Sequence, residues 1–297
     1  MIPLSVGAQT FQWGSRTYVM GILNVTPDSF SGDGLLSHQE GVSAALQQAG
    51  RFIQSGADIL DVGGESTRPG AQTVTAEEEL ARVIPVIESL ARAFPAALIS
   101  IDTYKSVVAE EAIRAGARMV NDVWGFRADP GIASVAARHG VPAILMHNRS
   151  KPANAQVLET LGGRYVGMEY GDLLEDVKRE LLESVEIARA AGLPDEKIIL
   201  DPGIGFGKTV EQNLELLNRL DEIRALGFPV LLGPSRKSFI GYTLNLPPDQ
   251  RVEGTAAAVA VGIVRGADIL RVHDVEIMAR VARMTDAIVR PLRPNLE

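Results

Sequence analysis

Short β-branched apolar runs recur along the chain, each entered from a glycine-containing turn and each ending in a polar residue or a glycine. Eight of them, at residues 18–25, 59–63, 98–102, 119–123, 143–147, 198–201, 230–233 and 269–273, predict strands. They are continuous rather than alternating in hydrophobicity, the pattern of parallel strands buried on both faces. The entries to five of them look related: SGADILDV from Ser55, AGARMVND from Ala115, HGVPAILMH from His139, LGFPVLLG from Leu226 and RGADILRV from Arg265. In each, a glycine can close the preceding helix before the chain turns into a strand. Amphipathic stretches fill the intervals. In the clearest, TAEEELARVIPVIESLARAF from Thr75, Thr75 and Glu78 match a capping box, and Pro85 predicts a kink or a split. The longest interval, 148–193, predicts a charged helix over residues 164–191 after a loop.

Eight strand–helix units point to a (β/α)8 TIM barrel, a single domain over residues 1–297, with a doubly wound open sheet as the alternative. In a barrel the C-terminal strand ends form the active face. Those ends supply Asn24, a loop with Glu65, Thr67 and Arg68, then Asp102, Asn121, His147, Asp201, Lys237 and Arg271 with His273. Singly, each reads as a satisfied buried polar group or a helix cap; together on one rim they read as a site. Alternation puts Met119 and Asn121 on one face and Asp122 on the other, and lets Arg271 and His273 share a face and grip one anion. Ser235, Arg236, Lys237 and Ser238 follow the seventh strand, where barrel enzymes frequently bind phosphate.

Composition narrows the chemistry. With 297 residues, 46% hydrophobic and 22% charged, the chain can bury a sizeable core, which excludes intrinsic disorder. A net charge of -8 argues against nucleic acid as a partner. The absence of cysteine removes thiol nucleophiles, thiolate metal sites and disulfides. The N-terminal MIPLSVGAQTFQWGSR does not look like a secretory signal, and the small-apolar run at 255–264 is too short to span a bilayer, so a soluble cytoplasmic protein is expected. DPGIGFGKT from Asp201 fails the Walker spacing, because the position of its first glycine is Pro202, and fails GxGxxG at Lys208. Its glycines suit a tight loop that lets Asp201 face the pocket. The four histidines show no HExxH spacing, which argues against zinc, whereas magnesium needs only a few protein oxygens beside substrate phosphates and waters.

Seven segments in order, GILNVTPDSFSGDG from Gly21, DVGGESTRPGA from Asp61, SIDTYK from Ser100, NDVWG from Asn121, DPGIGFGKT from Asp201, GPSRKSFIG from Gly233 and RVHDV from Arg271, together resemble the dihydropteroate synthase family of pterin-binding enzymes. The resemblance covers nearly the whole chain from Tyr18, and leaves the first seventeen residues to form a small hairpin beneath the barrel. It implies alkyl transfer in folate biosynthesis: p-aminobenzoate joins a dihydropterin methyl pyrophosphate, and pyrophosphate leaves. It implies that Asp102, Asn121 and Asp201 hydrogen-bond the pterin, and that Lys237 contacts the pterin and frames the aminobenzoate site. Asn24 would be the ligand of Mg2+, and Arg271 and His273 would hold pyrophosphate. Thr67 would lie beside both substrates, Arg68 and Pro69 on the second loop, Phe30 on the first, and Ser238 at the aminobenzoate carboxylate. A homodimer is also implied.

Pterin chemistry agrees with that assignment, since its amide and amino edge is complementary to carboxylate and carboxamide side chains. Gly32, Gly34, Gly63, Gly64 and Gly70 suit either plain turns or a lid of two loops. Two departures stand out: Asn148 follows His147 where family members often have methionine, and the first loop reads SGDG instead of SDGG, which shifts Asp33. A non-catalytic pterin-binding paralogue and a pterin-dependent methyltransferase are the alternatives. The presence of Asn24, Arg271 and His273 weighs against the first, and the TRPG and SRKS segments weigh against the second.

Overall fold

The computed structural model describes residues 1–25, 38–66, 73–158, 160–166 and 168–290. A hairpin opens the chain, β1 (Leu4–Val6) pairing antiparallel with β2 (Gln9–Phe11). Strands and helices then alternate: β3 (Tyr18–Asn24), α1 (His38–Gln54), β4 (Ile59–Gly63), α2 (Ala76–Ala93), β5 (Leu98–Asp102), α3 (Ser106–Ala115), β6 (Met119–Asp122), α4 (Ile132–His139) and β7 (Ala143–Met146). A second hairpin, β8 (Ala155–Leu158) with β9 (Gly162–Tyr165), precedes α5 (Leu173–Ala190), β10 (Ile198–Asp201), α6 (Val210–Asn218) and α7 (Leu220–Arg224). The rest are β11 (Leu231–Leu232), α8 (Ser238–Leu244), α9 (Val252–Val264), β12 (Ile269–Val272) and α10 (Val275–Val289).

Eight strands make one parallel sheet in the order β10-β7-β6-β5-β4-β3-β12-β11, and a bridge between Leu200 and Val230 brings its two ends together. The sheet is therefore a barrel and not an open, doubly wound sheet. All eight predicted runs are strands or strand ends. The glycines of the five related entries, Gly56, Gly116, Gly140, Gly227 and Gly266, all have positive φ, the conformation in which a chain leaves a helix most cheaply.

The period-two alternation of each strand divides the core in two. Leu60, Val62, Ile99, Ile101, Val120, Leu145, Leu200, Leu232 and Leu270 face outward and pack under the helices. Met20, Ile59, Leu98, Met119, Ile144, Ile199, Leu231 and Ile269 face inward and fill the lower barrel, closed from below by Leu4, Val6 and Phe11 of the N-terminal hairpin. The expected hairpin is thus the floor of the inner core.

Pro85 does not split its helix: it lies inside α2, whose start is fixed by the Thr75–Glu78 capping box. One helical expectation needs correction. The helix expected over 164–191 begins only at Leu173, where Asp172 caps it by accepting from the Glu175 backbone N–H, and residues 162–165 are a strand. Among the described residues no helix is long and apolar enough to cross a membrane.

Candidate active site

One step above the apolar floor the inward positions turn polar. On β4, Ile59 is followed two residues later by Asp61; on β5, Leu98 by Ser100 and then Asp102; on β6, Met119 by Asn121. On β10, Ile199 leads to Asp201, and on β12, Ile269 leads to Arg271, with His273 just past the strand's end. Two residues raise a strand by about 6.6 Å, so the same alternation that builds the floor builds the site above it. Register lines up the rim: Asn24 is paired with Gly63, Gly63 with Asp102 and Asp102 with Asn121.

Arg271 is the centre of the polar layer. Its Nε donates to Asp61 Oδ2 at 2.6 Å, and its Nη2 donates to Asp102 Oδ2 at 2.5 Å. Asn121 Nδ2 donates to the same Asp61 oxygen at 3.0 Å, which turns the Asn121 amide by its N–H side toward Asp61. Burial pushes Asp102 up to about 7, with Arg271 pulling the other way and Asp61 adding to the rise. For the guanidinium, burial is outweighed by the two carboxylates, and the group stays charged.

Across the rim, Asp201 Oδ1 accepts from the Gly203 N–H at 2.7 Å. Burial raises its pKa, and Lys237 is the chief cation opposing the rise. Lys237 donates to the Ile204 carbonyl and stands 4.3 Å from the Phe206 ring centroid; burial lowers it to about 8. Three carboxylates, Asp61, Asp102 and Asp201, therefore face two cations, Arg271 and Lys237, inside one dry layer. That arrangement favours a bound group carrying positive charge.

His273 lies one residue past the end of β12 and has partners different from those of Arg271. The His273 backbone N–H donates to Ser235 Oγ at 3.1 Å, and its Nδ1 lies 3.0 Å from the same hydroxyl. Arg271 is turned inward to its carboxylates, because buried carboxylates require a cation. The following residue, Asp274, pairs with Arg236 at 2.8 Å and 2.5 Å. Arg236 itself has φ 54, and its backbone N–H donates to Thr255 Oγ1 at 3.0 Å. Ser238 is the first residue of α8, with Lys237 as its N-cap. Asn24 closes β3 on the rim row. Phe30, Thr67, Arg68 and Pro69 lie outside the described residues, as do Gly32, Asp33, Gly34 and Gly70.

Three groups were not assigned from the sequence. Asp61 opens the DVGGESTRPGA segment, and its signal is the alternation from Ile59, which aims it inward. Lys208 and Glu180 flank His147 in a buried chain, with Lys208 Nζ 2.9 Å from His147 Nδ1 and His147 Nε2 3.1 Å from Glu180 Oε2. At the base of the second loop, Lys105 joins Glu65 at 2.6 Å and Glu79 at 2.5 Å. Burial raises Glu79, and Lys105 opposes the rise.

Among the described residues no group of three His, Cys, Asp or Glu side chains could hold a metal ion. Asn24 offers one neutral oxygen, a donor set that suits a magnesium ion brought in with phosphate oxygens rather than one held by protein alone.

A family model described as pterin binding enzyme matches residues 20–273. The dihydropteroate synthase of Clostridium beijerinckii is 50% identical over 97% of this chain and 100% of its own length. That of Bacillus subtilis is 51% identical over 92% of this chain and 89% of its own length. Among solved structures, the Clostridium difficile dihydropteroate synthase in the presence of pteroic acid superposes with a TM-score of 0.86 at 49% identity, covering 95% of this chain and all of that one. The Yersinia pestis enzyme with a sulfonamide drug complex gives a TM-score of 0.85 at 41% identity, covering 97% of this chain and 98% of that one. The chain belongs to the family of pterin-binding enzymes whose members include these dihydropteroate synthases.

Proposed function

We propose that this chain catalyses the dihydropteroate synthase reaction, an alkyl transfer in folate biosynthesis. It joins p-aminobenzoate to 6-hydroxymethyl-7,8-dihydropterin pyrophosphate, giving 7,8-dihydropteroate and pyrophosphate. The observation that carries this reading is the single polar layer in which Asp102, Asn121 and Asp201 face Arg271 and Lys237 above an apolar floor.

The flat heterocycle lies on that floor, with Asp201 accepting from its amino and ring N–H groups and Asn121 reading the amide edge. A buried donor or acceptor left unpaired costs about 1–3 kcal/mol, so each of these contacts contributes specificity. As the C–O bond at the methylene breaks, its electron pair leaves with pyrophosphate, and the positive charge left behind is conjugated with the pterin. Asp102 stabilises that cation in its ionised form. The amine lone pair of p-aminobenzoate then forms the new C–N bond, and the nitrogen loses a proton. No covalent intermediate with the protein is needed, and the path is dissociative. Arg271 and His273 hold the diphosphate, a role that requires the Arg271 guanidinium to share itself between Asp102, Asp61 and the anion. Magnesium, held by Asn24 and the diphosphate oxygens, would supply charge neutralisation at the leaving group. Holding both substrates in line accounts for roughly 7–11 kcal/mol of barrier reduction.

Thr67, Arg68, Pro69 and Phe30 serve as contacts of p-aminobenzoate, and Ser238 meets its carboxylate. The working form is a cytoplasmic homodimer, assembled through the last helices. The apolar exposure of Val264 and Ile288 supports that assembly.

The experiment is direct: purified protein, both substrates and magnesium, with dihydropteroate as the readout, and isotopically labelled pyrophosphate ester to follow bond breaking. Dihydropteroate formation with both substrates, and positional scrambling of the labelled ester when the amine is left out, are the expected results. No product sinks the activity, and cleavage that strictly requires the amine sinks the dissociative path. Methyl transfer from methyltetrahydrofolate would point to the methyltransferase alternative.

A further inference from the structure

The glycine-rich segment after β10 ends in Lys208, a lysine that the reaction above does not use. Its side chain is 2% exposed. Its Nζ lies 2.9 Å from His147 Nδ1 and donates to the carbonyls of Gly203 and Phe206, each at 3.0 Å. Three acceptors match the three donors of an ammonium, against burial, which pulls the lysine well below its ordinary pKa. His147 is held neutral, lowered to about 3 by burial and by Lys208. With Nδ1 accepting, its proton is on Nε2, the atom facing Glu180. Glu180 accepts from Arg149 Nε at 2.8 Å, so the chain of partners ends on a helix, α5.

The turn at residues 203–207 is held from its other side by Lys237, which donates to the Ile204 carbonyl and rests over the Phe206 ring. Backbone preference alone does not fix such a turn. Gly203, Gly205 and Gly207 have φ of +69, +83 and +58, and glycine loses the most conformational freedom of any residue on ordering. The packing is also close: a Cβ on Gly203 would lie 1.9 Å from the His147 carbonyl oxygen, and one on Gly205 would lie 2.7 Å from Lys237 Cδ.

We propose that Lys208 is a positioning residue for the transfer reaction: by binding the Gly203 and Phe206 carbonyls from within, it fixes the turn that places the Lys237 ammonium beside Asp201. This inference rests on the reading of Lys237 as a substrate contact. The route is local, one turn long, and every step in it is a hydrogen bond or a ring contact.

A double-mutant cycle tests it, with kcat/KM for the dihydropterin pyrophosphate measured in the wild type, Lys208→Met, Lys237→Met and the double variant. Lys208→Met should lower kcat/KM about tenfold or more in the wild-type background and less than threefold once Lys237 is already gone. A merely structural lysine would harm both backgrounds equally, and full multiplicative loss in the double variant overturns the proposal. Wild-type kcat/KM in Lys237→Met would instead overturn the reading of Lys237, a separate failure. Thermal melting monitors folding. Should Lys208→Met not fold, His147→Leu removes one partner of Lys208 while keeping the lysine, and it enters the same cycle with the same two outcomes.

Discussion

Asp102 meets three demands at once: it is the partner of Arg271 Nη2, the neighbour of Asn121 in register, and a carboxylate whose ionisation threshold lies near neutral pH. Because burial pushes it up to about 7, it is protonated below that pH and ionised above it. If the ionised form stabilises the developing cation, kcat/KM must fall as pH falls through about 7, approaching tenfold per unit below the limb. Asp102→Asn should lower kcat by about a hundredfold, with a much smaller change in KM for the pterin pyrophosphate, and should erase that limb. A pH–rate series on both proteins measures it; equal losses in kcat and affinity would confine Asp102 to ground-state binding. Asp61 shows the complementary case. Fully buried, it gives one oxygen to both Asn121 and Arg271, a role that needs three strands in register and is not legible in any one of them. Asp102, Asn121, Asp201 and Arg271 were legible because each ends an apolar run on the inward parity, and Lys237 because it follows the seventh strand at the N-cap of α8. The inward turn of Arg271 was not, since nothing in RVHDV says which carboxylates lie across the barrel.

At the scale of elements, the eight strands were legible because strands buried on both faces leave no room for polar residues until they reach the rim, and the glycines with positive φ mark where each begins. The charged stretch before α5 misled because RYVGMEYGDLLED has helical composition but no helical start until Asp172 caps one. Its first residues pair instead with β8, a partner that composition alone does not reveal. Pro85 leaves α2 unbroken because the helix is pinned at its start by the capping box and along its length by Val83, Val86, Ile87 and Leu90. The N-terminal hairpin carries its own energetic claim. Phe11 is 1% exposed, stacks on Trp13 with ring centroids 5.5 Å apart and tilts against Tyr18 at 4.7 Å, directly beneath the barrel floor. Phe11→Ala should destabilise the fold by about 3–5 kcal/mol, the ordinary result of emptying a large aromatic site. Urea denaturation checks this. A loss under 1 kcal/mol would mean that the hairpin is an appendage and not the floor.

The molecule as a whole carries a net charge of -8, yet its outer wall is not uniformly polar. The last two long helices, α9 and α10, pack side by side and leave Val261, Val264, Ile277, Met284 and Ile288 in solvent, with Ile288 70% and Val264 59% exposed. The sequence of α9, VEGTAAAVAVGIV, is apolar nearly all round, the pattern of a helix covered on more than one side. The barrel covers only the side with Thr255, Ala258, Val259, Gly262 and Ile263. A second copy of the chain, placing the same helices across a twofold axis, would cover the rest, since a self-complementary patch is what a symmetric pair requires. Sedimentation equilibrium should then report a dimer for the wild type and a monomer for Val264→Asp combined with Ile288→Asp. Neither residue approaches the polar layer of the barrel, so the variant should keep kcat per subunit within about threefold, a change of roughly 0.6 kcal/mol in the barrier. A wild type that sediments as a monomer at micromolar concentration would rule out the dimer, and the apolar face would then need a different partner.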